Sequence, residues 1–222
     1  NLEILGFNVQ ELDHNQRIEL NDGLYINILA ADYCDPSLCY KQMGCAVVEE
    51  KFGATHIDSM CVIDNGKQTI VNTNDCPFDI AKFSCFDIEK QYSKIDLLLV
   101  GYAGAGPYPQ CFEILSDSQK LLEAEKKKMD FYHQAESYIN LLKPKYYMPF
   151  AGRYTLAGHL ADLNKFRGVP ELEEAYTYFT TTDKIEQNNQ KCIILNSQEH
   201  FNIDDGKPSK EYVIIDVNKK LE

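Results

Sequence analysis

The chain is short of basic residues, of long hydrophobic runs and of closely paired cysteines, and each shortage removes a class of protein. Its 222 residues carry 22 Lys and Arg against 34 Asp and Glu, a net charge of −12. A field of that sign opposes binding to a polyphosphate, so nucleic acid is not an expected partner. A small anionic substrate is still compatible, because a local nest of backbone N–H groups and one Arg outweighs a distant, screened charge. Uninterrupted apolar runs reach only four residues, as in Leu97–Val100, far below the roughly 20 that span a bilayer. The opening Asn1–Gln16 has no basic stretch followed by an apolar core. The expectation is therefore a cytoplasmic protein with no leader and no membrane partner. The eight cysteines include no CxxC pair, which points to reduced thiols, with Cys61 and Cys192 inside apolar runs as small hydrophobes.

What is present reads as a globular α/β chain. Hydrophobic residues make up 44% and charged ones 25%, and the length suits one domain over residues 1–222, with Leu221-Glu222 set aside as a cloning remnant. Leu24–Ala30 and Cys45–Val48 read as strands. Met60–Ile63 and Gln68–Val71 flank Asn65-Gly66, whose residue types supply the positive φ of a tight hairpin turn. Asp96–Val100 has the continuous apolar character of a strand covered on both faces. A long helix should start near Ser116–Ser118 and run through Leu122, Met129, Tyr132, Ala135, Ile139 and Leu142 until Lys143-Pro144. Lys145–Met148 is a further strand, Glu171–Phe179 a short helix, and Cys192–Leu195 and Tyr212–Ile215 late strands around the turn Asp204-Asp205-Gly206.

Three constellations carry possible chemistry. His56-Ile-Asp-Ser59 and Asn72-Thr-Asn-Asp75-Cys76 bracket the hairpin, so an imidazole and a carboxylate reach one edge of a sheet. The competing reading makes His56 a turn cap and has Asp75 bonding local backbone. Next, Gly101–Pro109 places three glycines at the end of a buried strand, either as a plain turn or as a cradle for an anion. It lacks GxGxxG and the Walker Lys-Ser/Thr, so it is no standard nucleotide loop. Finally, Arg153-Tyr154, His159 and Asp162 follow the Pro149 turn, where a guanidinium would face a phosphate or carboxylate and a His a metal or proton. A solvated connection is the alternative there.

A His shortly before Ser, then strand, turn, strand and Asp-Cys, resembles the second half of the metallo-β-lactamase fold. Asp96-Leu-Leu-Leu99 with Ala103-Gly-Ala-Gly-Pro-Tyr-Pro109, and Leu142-Lys-Pro-Lys-Tyr-Tyr-Met-Pro-Phe-Ala-Gly152, resemble the metallo-β-lactamase-like domain of CMP-N-acetylneuraminate hydroxylases. The likeness spans roughly Gly23 to Asp162. It implies an α/β fold of the αββα sandwich type, represented here by its C-terminal portion, with paired sheets inside and helices outside. The family's HxHxDH segment is absent, as is the His expected just after Pro149, and no Rieske-type Cys/His pairing occurs.

On that resemblance the chain is expected to be a metal-dependent hydrolase-like or oxygenase-like domain acting on a small anionic substrate. One or two ions of Zn or Fe would lower the pKa of a bound water or hold an oxygen species. His56 and Asp75 would be metal ligands, with His159 a further ligand or proton carrier. Gly104, Gly106, Tyr108 and Arg153 would hold the substrate, with Arg153 and His159 nearest the reaction. The second reading is a metal-free, degenerate member serving as a binding or scaffold module. The absent HxHxDH and the absent initial Met suggest a removed N-terminal segment. A partial sandwich of this kind predicts apolar sheet surface that a partner chain, that segment or a homodimer would cover.

Overall fold

The computed structural model describes residues 2–31, 58–150, 154–185 and 190–214. The expected strand Cys45–Val48 lies outside them. Strands β1 (Arg17–Asn21), β2 (Leu24–Ala30), β3 (Ser59–Asp64) and β4 (Thr69–Asn72) form an antiparallel meander. Helix α1 (Phe78–Gln91) then crosses over to β5 (Leu97–Val100), which lies parallel to β4. Helix α2 (Asp117–Leu142) leads to β6 (Tyr146–Pro149), and α3 (Leu172–Thr181) leads to β7 (Lys191–Cys192), both again parallel to their neighbours. The sheet order is β1-β2-β3-β4-β5-β6-β7, and a separate ribbon pairs β8 (Phe201–Asn202) with β9 (Lys207–Pro208). The α/β class read from the sequence therefore holds, and a parallel ladder needs just such helical crossovers. No helix among the described residues is long and apolar enough to cross a membrane.

Local chemistry explains most boundaries. The β3–β4 hairpin closes through Asn65-Gly66, with Gly66 at φ 77° and the Asn65 side-chain oxygen accepting from the backbone of Lys67 and Gln68. Helix α2 starts at a reciprocal cap between Ser116 and Gln119 and stops where Lys143 turns left-handed at φ 44°, just before Pro144. Two expectations need correcting. Leu122, read as a core position, is 69% exposed, because the buried stripe of α2 runs through Ala124, Tyr132, Ala135, Tyr138, Ile139 and Leu142 instead. The late strands are shorter than their hydrophobicity suggests: Lys191–Cys192 alone pairs with β6, Tyr212–Ile214 joins no ladder, and Asp204-Asp205-Gly206 turns the β8–β9 ribbon. Helix α1 escaped the sequence reading, because exposed Phe83 and Phe86 interrupt the helical stripe of Ile80, Ala81, Cys85 and Ile88.

All three helices pack on one face of the sheet. Leu29, Met60, Val62, Val71, Leu98, Val100, Tyr147 and Cys192 meet Ala81, Cys85 and Ile88 of α1, Tyr138 and Ile139 of α2 and Phe179 of α3 in one core. The opposite face is also apolar: Ile26 and Ile28, Cys61 and Ile63, Ile70, Leu97 and Leu99, Tyr146 and Met148, and Ile193. Phe201 and Ile203 of the ribbon cover its β5–β7 end, Phe201 meeting Tyr146 edge-on at 4.8 Å. Among the described residues one large sheet is present, and the second layer expected of a sandwich is represented by this ribbon.

At the far end of the hairpin a partly buried polar cluster fastens β1 to β3. Arg17 donates through Nε and Nη2 to Asp64 at 3.0 and 2.7 Å while its guanidinium lies 3.5 Å from the Tyr25 ring centroid. The Tyr92 hydroxyl donates to Asn27 at 2.8 Å and also approaches Asp64. The Arg17 hydrogen bond, above all, holds the Asp64 carboxyl below the usual carboxylate range. Removing Arg17 would strand a carboxylate that is only 5% exposed. Arg17→Met should therefore cost about 2–3 kcal/mol in urea unfolding, and adding Asp64→Asn should recover part of it. Because the folded pKa is the lower one, the pair's stabilisation is complete above the ordinary carboxylate value near ~4 and is lost as pH falls through the folded value. The gap between wild type and the double variant should close on acidification.

Candidate functional site

The parallel pairing of β4, β5 and β6 gathers their C-terminal ends along one edge of the sheet, where open α/β sheets bind ligands. Asp75 stands just beyond β4, the glycine loop Gly101–Pro109 follows β5, and Phe150 follows β6. The β3–β4 ladder ends with Cys61 opposite Asn72, and just beyond it, at the open end of the hairpin, Asp75 lies close enough for its charge to act on the Asp58 carboxyl. Asn74 clamps that end: its Nδ2 donates to the Ser59 carbonyl at 3.1 Å and its N–H to the Asn72 side chain at 2.9 Å. The local bonding that the alternative reading assigned to Asp75 is thus done by Asn72 and Asn74.

Asp58 and Asp75 are exposed neighbours, and neither carboxylate accepts a hydrogen bond or meets a cation among the described residues, although the Asp58 carbonyl accepts from the Ala31 N–H at 3.0 Å. Partial burial, and then the negative charge of Asp75, push the Asp58 carboxyl above its usual range. Two like charges held close together, with no counter-ion among the described residues, form an arrangement that a cation would relieve. The expected partner His56 lies outside the described residues, as does Arg153. His159 is exposed at the start of a 3-10 stretch, Gly158–Phe166, and Asp162 is exposed on the same stretch. No group of three or more His, Cys, Asp or Glu side chains able to hold a metal occurs among the described residues. Asp58 and Asp75 alone are one ligand short of the three that a catalytic zinc site uses.

The glycine loop is tightly tied to the fold. The Gly101 N–H donates to Thr73 Oγ1 at 3.0 Å, and a Cβ at Gly101 would stand 2.7 Å from the Asn74 carbonyl oxygen. A Cβ at Gly104 would stand 3.1 Å from the Phe131 ring. These two glycines permit close internal packing, which the turn reading anticipated. Gly106 is different: a Cβ there would lie 3.7 Å from Lys127 Nζ. Lys127 donates to the Tyr108 carbonyl at 2.9 Å, and burial lowers its ammonium pKa. The Tyr108 hydroxyl donates to Glu123 at 2.5 Å. Tyr154 lies within hydrogen-bond distance of the Gly106 carbonyl, at 2.8 Å, and of the side chain of the fully buried Gln110.

Sequence reasoning missed Lys127, gave Asp58 no role of its own, and named Tyr154 only beside Arg153 in the polar loop. Asp58 was findable, since it stands in the segment His56–Ser59 that leads into a hairpin already read. Lys127 and Tyr154 carried no local signal, because a helix 20 residues downstream and a later loop bring them to Gly106. Burial pushes the Cys85 and Cys192 thiols up to about 12, and Cys76 is raised further. These cysteines are core hydrophobes rather than nucleophiles.

No family model matches the chain, and no curated protein matches it. Among solved structures the chain is similar to CmlA, a diiron β-hydroxylase from Streptomyces venezuelae, at 12% identity and TM-score 0.45 over 86% of this chain and 34% of that one. A point mutant of CmlA β-hydroxylase gives 13% identity and TM-score 0.46 over 87% and 34%. A protein from Thermotoga maritima, assigned as a Zn-dependent hydrolase of the metallo-β-lactamase superfamily, gives 13% and 0.37 over 83% and 72%. The chain thus spans about a third of the length of the CmlA structures.

Two outcomes test this geometry. Gly101→Ala should lose about 1–3 kcal/mol of stability in chemical denaturation, because the new methyl meets a backbone oxygen that cannot move without opening the β4–β5 junction. Asp58→Asn should raise the melting temperature at neutral pH. A raised folded pKa means that ionised Asp58 costs stability above that value, and the cost disappears as pH falls below the unfolded value. The wild-type and Asp58→Asn melting curves should converge in acid.

Proposed function

We propose that the chain is part of a metallo-β-lactamase-like, metal-dependent domain of hydrolase-like or oxygenase-like chemistry, acting on a small anionic substrate at the C-terminal edge of the parallel strands. The observation that carries this reading is the neighbouring pair Asp58 and Asp75 at the mouth of the β3–β4 hairpin, with no cation beside them among the described residues. In this reading Asp75 and His56 are metal ligands, Asp58 a further oxygen donor, and His159 an additional ligand or proton carrier. Zn or Fe bound there would act as a Lewis acid or activate water. Gly106 with Lys127 and Arg153 supplies the positive side of the substrate cradle. Gly104 and Tyr108 shape its wall, since the Tyr108 hydroxyl is already engaged by Glu123. The motifs around Gly101–Pro109 and Leu142–Gly152 favour the branch of CMP-N-acetylneuraminate hydroxylases.

The second reading, a metal-free binding or scaffold module, draws on the internal hydrogen bonds of the glycine loop and on the apolar sheet face opposite the helices. A second copy or a partner segment would use that face. Calorimetric titration separates the two readings. Zn2+, or Fe2+ under anaerobic conditions, added to metal-free protein should bind at one or two ions per chain. Asp75→Asn and His56→Ala should each weaken binding about tenfold or more. Absence of saturable binding, or binding indifferent to Asp75→Asn, would favour the metal-free module.

A further inference from the structure

The closed end of the β3–β4 hairpin, opposite the mouth at Asp75, holds an arrangement that the metal reading does not use. Asn65-Gly66 is the only Asn-Gly pair in the chain, and both residues are exposed. Gly66, at φ 77°, takes the first central position of a two-residue turn, closed by the Asn65 N–H on the Gln68 carbonyl at 3.2 Å. The Asn65 Oδ1 accepts from the Lys67 N–H at 3.0 Å and from the Gln68 N–H at 2.8 Å. Both donors lie C-terminal to Asn65, so its side-chain amide is folded forward over the turn, to the side of the Gly66 nitrogen. The Gly66 N–H in turn donates to the Asp64 Oδ1 at 3.1 Å. Asp64 is buried, and its bond to Arg17 keeps it ionised.

Each contact has a consequence for the Asn65 amide. Two N–H groups on one carbonyl oxygen draw electrons from its carbon and stabilise the oxyanion that forms when a nucleophile adds there. A carboxylate within reach of the Gly66 N–H can take the proton that this nitrogen loses on attack. A Cβ at Gly66 would meet nothing within 4 Å, so no neighbouring group covers that side of the nitrogen. Two other asparagines show which feature is special. Asn72 Oδ1 accepts from the Asn74 N–H at 2.9 Å, and Asn202 Oδ1 from the Asp204 and Asp205 N–H groups at 2.9 and 3.3 Å. Both are followed by β-branched residues, Thr73 and Ile203, whose side chains crowd the nitrogen that would attack.

We propose that this turn is a self-modification site, at which Asn65 is converted to aspartyl and isoaspartyl residues through a cyclic imide formed with Gly66. The Gly66 nitrogen attacks the Asn65 side-chain carbonyl carbon and forms the new C–N bond. Its proton passes by way of Asp64 to the departing amide nitrogen, which leaves as ammonia when the old C–N bond breaks. Water then opens the imide. Cleavage at the side-chain carbonyl leaves Asp at 65, and cleavage at the main-chain carbonyl leaves the isoaspartyl linkage, with one more carbon in the main chain. Either product adds a negative charge beside Asp64, and the second disturbs the Asn65–Gln68 closure of the turn. The site is at the other end of the hairpin from Asp58 and Asp75, so the proposal stands or falls without the metal reading.

The test incubates the full chain at neutral pH and follows conversion by peptide mass spectrometry, with isoaspartate scored by protein isoaspartyl methyltransferase. A synthetic peptide of residues 60–71 serves as the unfolded reference. Asn65 should be the first asparagine converted, at a rate at least about threefold above that of the peptide, because only the folded turn holds both donors on the carbonyl. Lys67→Pro deletes one donor and leaves the Asn-Gly bond intact. It should slow conversion about tenfold in the folded chain and change the peptide little. Should Lys67→Pro fail to fold, the comparison of the wild-type chain with its peptide decides alone. The proposal is overturned if the folded chain converts no faster than the peptide, which would make the turn a shield. It is overturned equally if another asparagine converts first, or if a folded Lys67→Pro chain converts at the wild-type rate.

Discussion

Everything at the candidate site depends on the double life of β4, which closes an antiparallel hairpin on one side and opens a parallel ladder on the other. The hairpin brings Asp58 near Asp75, and the ladder aligns that mouth with the loop after β5. The junction is narrow. Gly101 sits where a methyl would collide with the Asn74 carbonyl, and Thr73 accepts from its N–H while the Thr73 N–H donates to the Leu99 carbonyl. A residue larger than glycine would force the hairpin and the loop apart, and with them the carboxylates and the cradle at Gly106.

The sheet is apolar on both faces, and the two faces are treated differently. The helical face is a packed core with fully buried Leu29, Met60, Val71 and Leu98. The other face carries Ile26, Ile28, Ile63, Ile70, Leu99 and Met148 at intermediate exposure, with the ribbon covering one end. Burying apolar area is the dominant favourable term in folding, so a two-faced sheet of this kind is suited to a second layer. The ribbon already provides a piece of one, anchored where Gly206 packs on the Tyr146 hydroxyl and where Gln68 donates to Asp204 at 2.6 Å. This pattern is compatible with the proposed sandwich.

The elements legible in the sequence were those with strong local signals. Asn65-Gly66 announced the hairpin, the apolar run Leu97–Val100 announced the central parallel strand, and Ser116 with Lys143-Pro144 delimited the long helix. Helix α1 was hidden because its exposed face carries Phe83 and Phe86, which blur a 3.6-residue period. Tyr212–Ile214 looked like a strand because residue type records a preference for a pleated, half-buried surface, and there the chain finds Asn196 rather than a ladder. At the site, Asp75 and the glycine loop were legible because hairpin spacing and glycine content are local. Lys127 was not, nor was the contact of Tyr154 with Gly106, since both approaches are set by tertiary packing, and the glycines at 101 and 104 prove to serve internal contacts.

The central claim is that the carboxylate mouth of the β3–β4 hairpin is where a metal and its substrate meet. The most direct measurement is anomalous X-ray scattering from crystals grown with Zn2+ or Fe2+, collected on both sides of the metal's absorption edge. The account predicts a peak bonded to Asp75, at about 2.0–2.2 Å from a carboxylate oxygen, with Asp58 and His56 around it. A fully loaded crystal whose only anomalous peaks lie away from Asp58 and Asp75 would contradict it.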